Sequence, residues 1–155
     1  MATPASSTTA PRCVTSHLVV WMGVPGDGAA GSMYFPLEFT NIGSRACTLR
    51  GFPGVSAWAH GHRIGSPASW AHTVPTRTVT LKPRATAHTV LRVVDVGNFP
   101  RSACKAATAT SIKVFPPNTR VARQISFRLR VCSVARTHSL AIQGPVIPRV
   151  GIPGH

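Results

Sequence analysis

Met33-Tyr34-Phe35-Pro36-Leu37-Glu38-Phe39 decides the fold class, because its odd positions are all apolar. Side chains alternate across a strand with period two, so Met33, Phe35, Leu37 and Phe39 share one face, and Glu38 is expected on the solvent face. Outward from this stretch the same period recurs. Thr78-Val79-Thr80-Leu81 alternates, and Ile125, Phe127, Leu129 and Val131 alternate with Ser126, Arg128 and Arg130. Further strand signals cover residues 17–21, 47–50, 55–58, 89–94, 112–115 and 140–142. Pro and Gly punctuate nearly every gap, and no window carries a long helical stripe or an internal repeat. Many short strands with frequent turn signals predict an all-β sandwich or barrel. The expected core is Phe35, Leu37, Phe39, Leu81, Leu91, Val93, Ile112, Val114, Ile125, Phe127 and Leu129. Glu38, Arg92, Lys113, Arg128 and Arg130 are expected outside.

The chain has 155 residues, enough for one domain with one core. Residues 1–12 (MATPASSTTAPR) cannot bury a face and read as a disordered linker. Residues 13–147 form the expected sandwich domain, with an edge strand around Val146 and Ile147. Residues 148–155, rich in Pro and Gly, are expected to form a loose tail. No stretch approaches the ~20 apolar residues of a membrane span. Residues 1–12 also lack the apolar region of a signal peptide, so an export signal is expected upstream or already removed. Cys13, Cys47, Cys104 and Cys132 are widely spaced and form no C-x-x-C pair, which argues against a zinc ribbon or thioredoxin motif. They suit two disulfides in an oxidising compartment. Spacing leaves more than one pairing open. We expect the nearest neighbours in sequence to pair, Cys13 with Cys47 and Cys104 with Cys132.

Seventeen Lys and Arg face three acids, Asp27, Glu38 and Asp95, for a net charge of +14. Such a balance favours polyanionic partners: nucleic acid, an anionic membrane surface or wall polymers. The outward basic candidates on strands are Arg92, Lys113, Arg128 and Arg130.

The segment Gly31 to Gly65 reads GSMYFPLEFTNIGSRACTLRGFPGVSAWAHGHRIG. With Cys13 and the glycine-rich approach at residues 26–31, it resembles the actinobacterial domain of unknown function 4232 of secreted proteins and lipoproteins. The string FTN-x-G-x-x-x-CTLRG-x-PGV carries the likeness. Cys104, Pro116-Pro117 and Cys132 continue it to about Val146. The resemblance implies an immunoglobulin-like antiparallel β-sandwich outside the membrane and brings no catalytic residues. The residue types in the motif have their own physical reading. Asn41 and Gly43 suit a turn that tolerates left-handed backbone. Gly51 and Gly54 around Pro53 predict a bend where a strand changes sheet.

No enzyme is expected. The three acids have ordinary places on a strand or in turns, so paired-carboxylate hydrolysis has no candidates. No G-x-S-x-G elbow occurs. The competing reading is a small exported enzyme or metal-binding protein using His60, His62 and His72. Against it, Gly61 reads as a hairpin turn that splays the first two, and no acid or Cys stands by as a fourth ligand. His17, His88 and His138 are expected to be solvated. Trp58 and Trp70 flank Arg63 and suggest a stacking platform for a sugar or single-stranded nucleic acid, or more simply a core and a loop tryptophan. A cytosolic nucleic-acid-binding protein is the second alternative, but no such motif is present. The sequence predicts an exported, cofactor-free, non-catalytic module of the cell envelope that contacts anionic polymers or lipids. It assigns no oligomeric state.

Overall fold

The computed structural model describes residues 10–26, 28 and 30–151. Most of the expected linker (residues 1–9), Asp27 of the glycine-rich turn and tail residues 152–155 lie outside the described residues. In chain order the strands are β1 (Leu18–Met22), β2 (Ser32–Asn41), β3 (Cys47–Arg50), β4 (Gly54–Ala59), β5 (His62–Ile64), β6 (Ser69–Trp70), β7 (Thr78–Leu81), β8 (Thr86–Val94), β9 (Ala106–Phe115), β10 (Arg123–Cys132), β11 (Leu140–Ile142) and β12 (Ile147–Pro148). One sheet runs β1-β2-β8-β11-β6, with β12 also paired to β8. A second runs β10-β9-β4-β5, and β3 pairs with β7 alone. The pairs are antiparallel except β11 with β6, which run parallel. The all-β class therefore holds, and β11 with β6 is the one parallel pair among the named strands. Leu37, Phe39 and Leu91 from the first sheet meet Val55, Ala57, Ile112 and Val114 from the second in one apolar cluster, joined by Leu49 and Leu81 of the third. Disulfides join Cys13 to Cys47 and Cys104 to Cys132, the expected pairs.

The motif residues are structural, though one acts differently from its predicted turn role. Asn41 ends β2 fully buried. Its side-chain amide donates to the carbonyls of Arg45 and Leu81, at 2.8 and 2.9 Å, and its Oδ1 accepts from Gly43 N at 2.8 Å. Neither Asn41 nor Gly43 adopts a left-handed backbone. Asn41 is instead a hydrogen-bond hub that sets the loop before Cys47, because a buried amide must find partners for both ends. Gly51, at φ 97°, makes the predicted bend, and the chain does change sheets between β3 and β4.

Three expectations about burial need correction. Glu38 points away from the core, as its parity requires, yet it is fully buried. The chain after β12 crosses the outer face of the first sheet, and Gly151 N donates to both Glu38 carboxylate oxygens at 2.8 and 3.1 Å. Burial raises the Glu38 pKa, opposed in part by the Gly151 N–H and by nearby His88. His88, expected in solvent, is buried under the same segment, its Nδ1 2.6 Å from the Arg149 carbonyl. Residues 148–151 are therefore fastened rather than loose, helped by Arg149 N donating to the Thr86 carbonyl.

The third correction concerns the core. Leu37, Phe39, Leu81, Leu91, Ile112, Val114 and Leu129 are buried as expected. Phe35, Val93, Ile125 and Phe127 are only partly buried, and Met33, on the same inward face, is 39% exposed. The cause lies in β10, the edge strand facing them. Between the Ser126–Ser111 and Leu129–Ala109 pairs, β10 carries two residues, Phe127 and Arg128, against the single Thr110 of β9. Such a bulge bends an edge strand and re-aims its side chains. Interior-facing residues at this end of the sandwich are left without a full cover.

Candidate functional site

The gap left by the bulge is a cleft of about 440 Å³. Its apolar walls are Met33 and Phe35 of β2, Val93 of β8 and Leu129 of β10. Phe127 meets Phe35 edge to face, with ring centroids 4.9 Å apart. Arg128, Arg130 and Asp95 also line the cleft. Asp95 is partly occupied, since its Oδ1 accepts from Gly97 N at 2.9 Å to cap a short 3₁₀ turn, Val96–Asn98.

A second, polar cleft adjoins the first and shares Val96 and Arg130 with it. Arg101 and Lys105 bring further positive charge to this neighbour. Arg101 opens and Lys105 caps one helical turn, Arg101–Cys104, which the Cys104–Cys132 disulfide ties to the end of β10. Ser133 N donates to the Cys104 carbonyl at 2.9 Å, and Ser133 Oγ donates to the Lys105 carbonyl at 2.6 Å, fastening the turn further. Lys105 itself sits in the left-handed region at φ 46°. The disulfide thus sets Arg101 and Lys105 in the same cleft as Arg130. The sequence reasoning missed the first two residues, although the expected Cys104–Cys132 pairing was a signal that residues 101–105 meet the end of the 125–131 strand.

The predicted basic residues separate by sheet. Lys113, Arg128 and Arg130 belong to β9 and β10 of the four-stranded sheet, whereas Arg92 lies on the outer face of the other sheet, its Nε donating to Ser32 Oγ at 2.9 Å. Arg130 donates to Thr108 Oγ1 at 3.4 Å on the outer face. Lys113 Nζ lies 3.6 Å from the centre of the Trp58 ring, a cation–π contact. No strand of the four-stranded sheet contains an acid.

Trp58 is therefore not a core tryptophan. It sits on the outer face opposite Arg63 in the β4–β5 hairpin. The hairpin turns at His60 and Gly61, both with positive φ (52° and 76°), as a two-residue connection of this kind requires. Trp70 is 48% exposed, stacks on Phe52 at 5.1 Å and donates from Nε1 to the Pro53 carbonyl. His72 packs against the edge of Phe52, apart from the hairpin tip that carries His60 and His62. Among the described residues no three His, Cys, Asp or Glu side chains gather to hold a metal ion, so the metal alternative has no assembled site there.

Two disulfides fit an oxidising, extracellular environment. No described helix is long and apolar enough to cross a membrane. No curated protein sequence matches the chain. A family model described as a domain of unknown function, DUF4232, matches residues 13–143, from the first disulfide cysteine to the residue after β11. That match covers most of the chain, and the protein belongs to the DUF4232 family.

Proposed function

We propose that this protein is an exported, non-catalytic binding module that takes up anionic ligands of the cell envelope at the basic end of its sandwich. The observation that carries this reading is the convergence of Arg101, Lys105, Arg128 and Arg130 around two adjoining clefts, next to a sheet without acids. Arginine presents a planar fork of donors that matches carboxylate and phosphate oxygens. The long-range field of a +14 chain concentrates anions near that fork. Export removes most access to cytosolic nucleic acid and leaves wall polymers and anionic lipids as the abundant polyanions. The test is retention on purified envelope fractions at low and high salt. Retention at low salt that falls as salt rises is expected, because screening acts beyond about 8 Å at physiological ionic strength. The double reversal Arg128→Glu with Arg130→Glu should weaken retention and leave the melting temperature nearly unchanged, since both side chains are exposed. Retention indifferent to salt and to the reversal refutes the reading.

A further inference from the structure

We infer that the ligand is a single-chain amphiphile with a carboxylate or phosphate head, its chain in the apolar cleft and its head among the arginines. This deepens the proposed function and rests on it for the anionic head.

The geometry is a pair of adjoining spaces of opposite character. The first is walled by Met33, Phe35, Val93 and Leu129, and the second carries Arg101 and Lys105, with Arg130 bordering both. A ligand that is only an anion leaves the apolar space unused, and one that is only apolar leaves the cations unused. The apolar walls are also an anomaly in their own right. Met33, Phe35 and Val93 have the parity of core residues, yet they line a cleft and are covered only in part, Phe35 by the Phe127 ring and Val93 by the core, with Met33 exposed. Exposed apolar surface at this position loses the burial that stabilises the rest of the interior. Arg128, one of the two residues in the bulge, lines the cleft. At about 440 Å³ the cleft falls within the roughly 300–1,000 Å³ of small-molecule sites. It is too small for a folded partner and has room for part of one alkyl chain. Asp95, which also lines it, is held by its own turn.

The experiment is calorimetric titration of the full chain with dodecyl phosphate below its micelle-forming concentration. Inorganic phosphate and dodecyl maltoside serve as head-only and chain-only controls. Dodecyl phosphate should bind about tenfold or more tighter than either control, because each buried methylene is worth roughly a factor of four. Met33→Trp, which fills the cleft from an exposed position, should remove that advantage. Val93→Phe provides a second plug if Met33→Trp does not fold. Equal binding of phosphate and dodecyl phosphate, or an advantage that survives the plug in a folded variant, overturns the inference. If polymer retention depends on salt but the alkyl chain adds nothing, only this inference fails. If the alkyl phosphate binds and the plug blocks it while no envelope fraction is retained, only the envelope reading fails.

Discussion

Gly151→Ala tests whether the segment after β12 is an energetic part of the fold. A Cβ at Gly151 would lie 2.7 Å from Pro36 Cβ and 2.8 Å from His88 Cδ2, closer than carbon atoms approach without something moving. The backbone at Gly151 is outside the left-handed region, so the conflict is with its neighbours and not with its own conformation. Neither neighbour yields easily: Pro36 is a ring in the middle of β2, and His88 is buried and held by the Arg149 carbonyl. The segment must therefore lift, and the hydrogen bond from Gly151 N to the Glu38 carboxylate breaks. A hydrogen bond to a charged group contributes about 1.5–3 kcal/mol. Rehydration of Glu38, which burial disfavours as an anion, offsets part of this. A net loss of about 1–2 kcal/mol remains on these magnitudes. For a domain of this size that corresponds to a melting temperature lowered by roughly 2–8 °C. Urea denaturation of the wild type, Gly151→Ala, Glu38→Gln and the double variant measures the coupling directly. Residues in contact should give an interaction energy of about 0.5 kcal/mol or more. A Gly151→Ala variant as stable as the wild type, or a cycle that adds without coupling, refutes the clamp.

The raised Glu38 pKa has a definite sign: a carboxyl whose folded value lies above its unfolded value contributes stability that is present below the unfolded value and lost as pH rises through the folded one. Glu38→Gln should flatten this fall, seen in melting temperatures across the acid range; an unchanged slope counts against burial as the cause. Reduction of the disulfides should destabilise the protein by up to about 3.5–4 kcal/mol for each bridge on the loop-entropy model, checked by melting with and without reductant. Phe127→Ala should cost about 2 kcal/mol, less than the roughly 3–5 kcal/mol of a fully buried Phe, since its ring is only partly buried beside the cleft; a loss above about 4 kcal/mol by urea denaturation would mean that the cleft is closed in solution.

Most strands, their inward residues and the bend at Gly51 were legible in the chain, because period two and glycine conformation are properties of neighbouring residues; the short β5 and β6 carry no such period, and spacing alone left the disulfide pairing open. Leu37 and Phe39 needed no partner to be named as core. What covers an outward residue is a different matter. Glu38 has the parity of a solvent position, and the backbone that buries it arrives from 113 residues away. The cleft is tertiary for the same reason. Met33, Phe35 and Val93 point inward by their own pattern, but whether a layer lies opposite depends on β10, and the extra residue in β10 is defined only against its partner β9. Sheet membership likewise divides the basic residues. Arg92 and Arg130 are equally outward along their strands, yet β8 joins one sheet and β10 the other. Arg101 and Lys105 reach Arg130 because a disulfide closes a loop of 28 residues. Local pattern determined which face each side chain takes; long-range pairing decided what that face meets, since pairing depends on residues distant in the chain and periodicity extends only over neighbours.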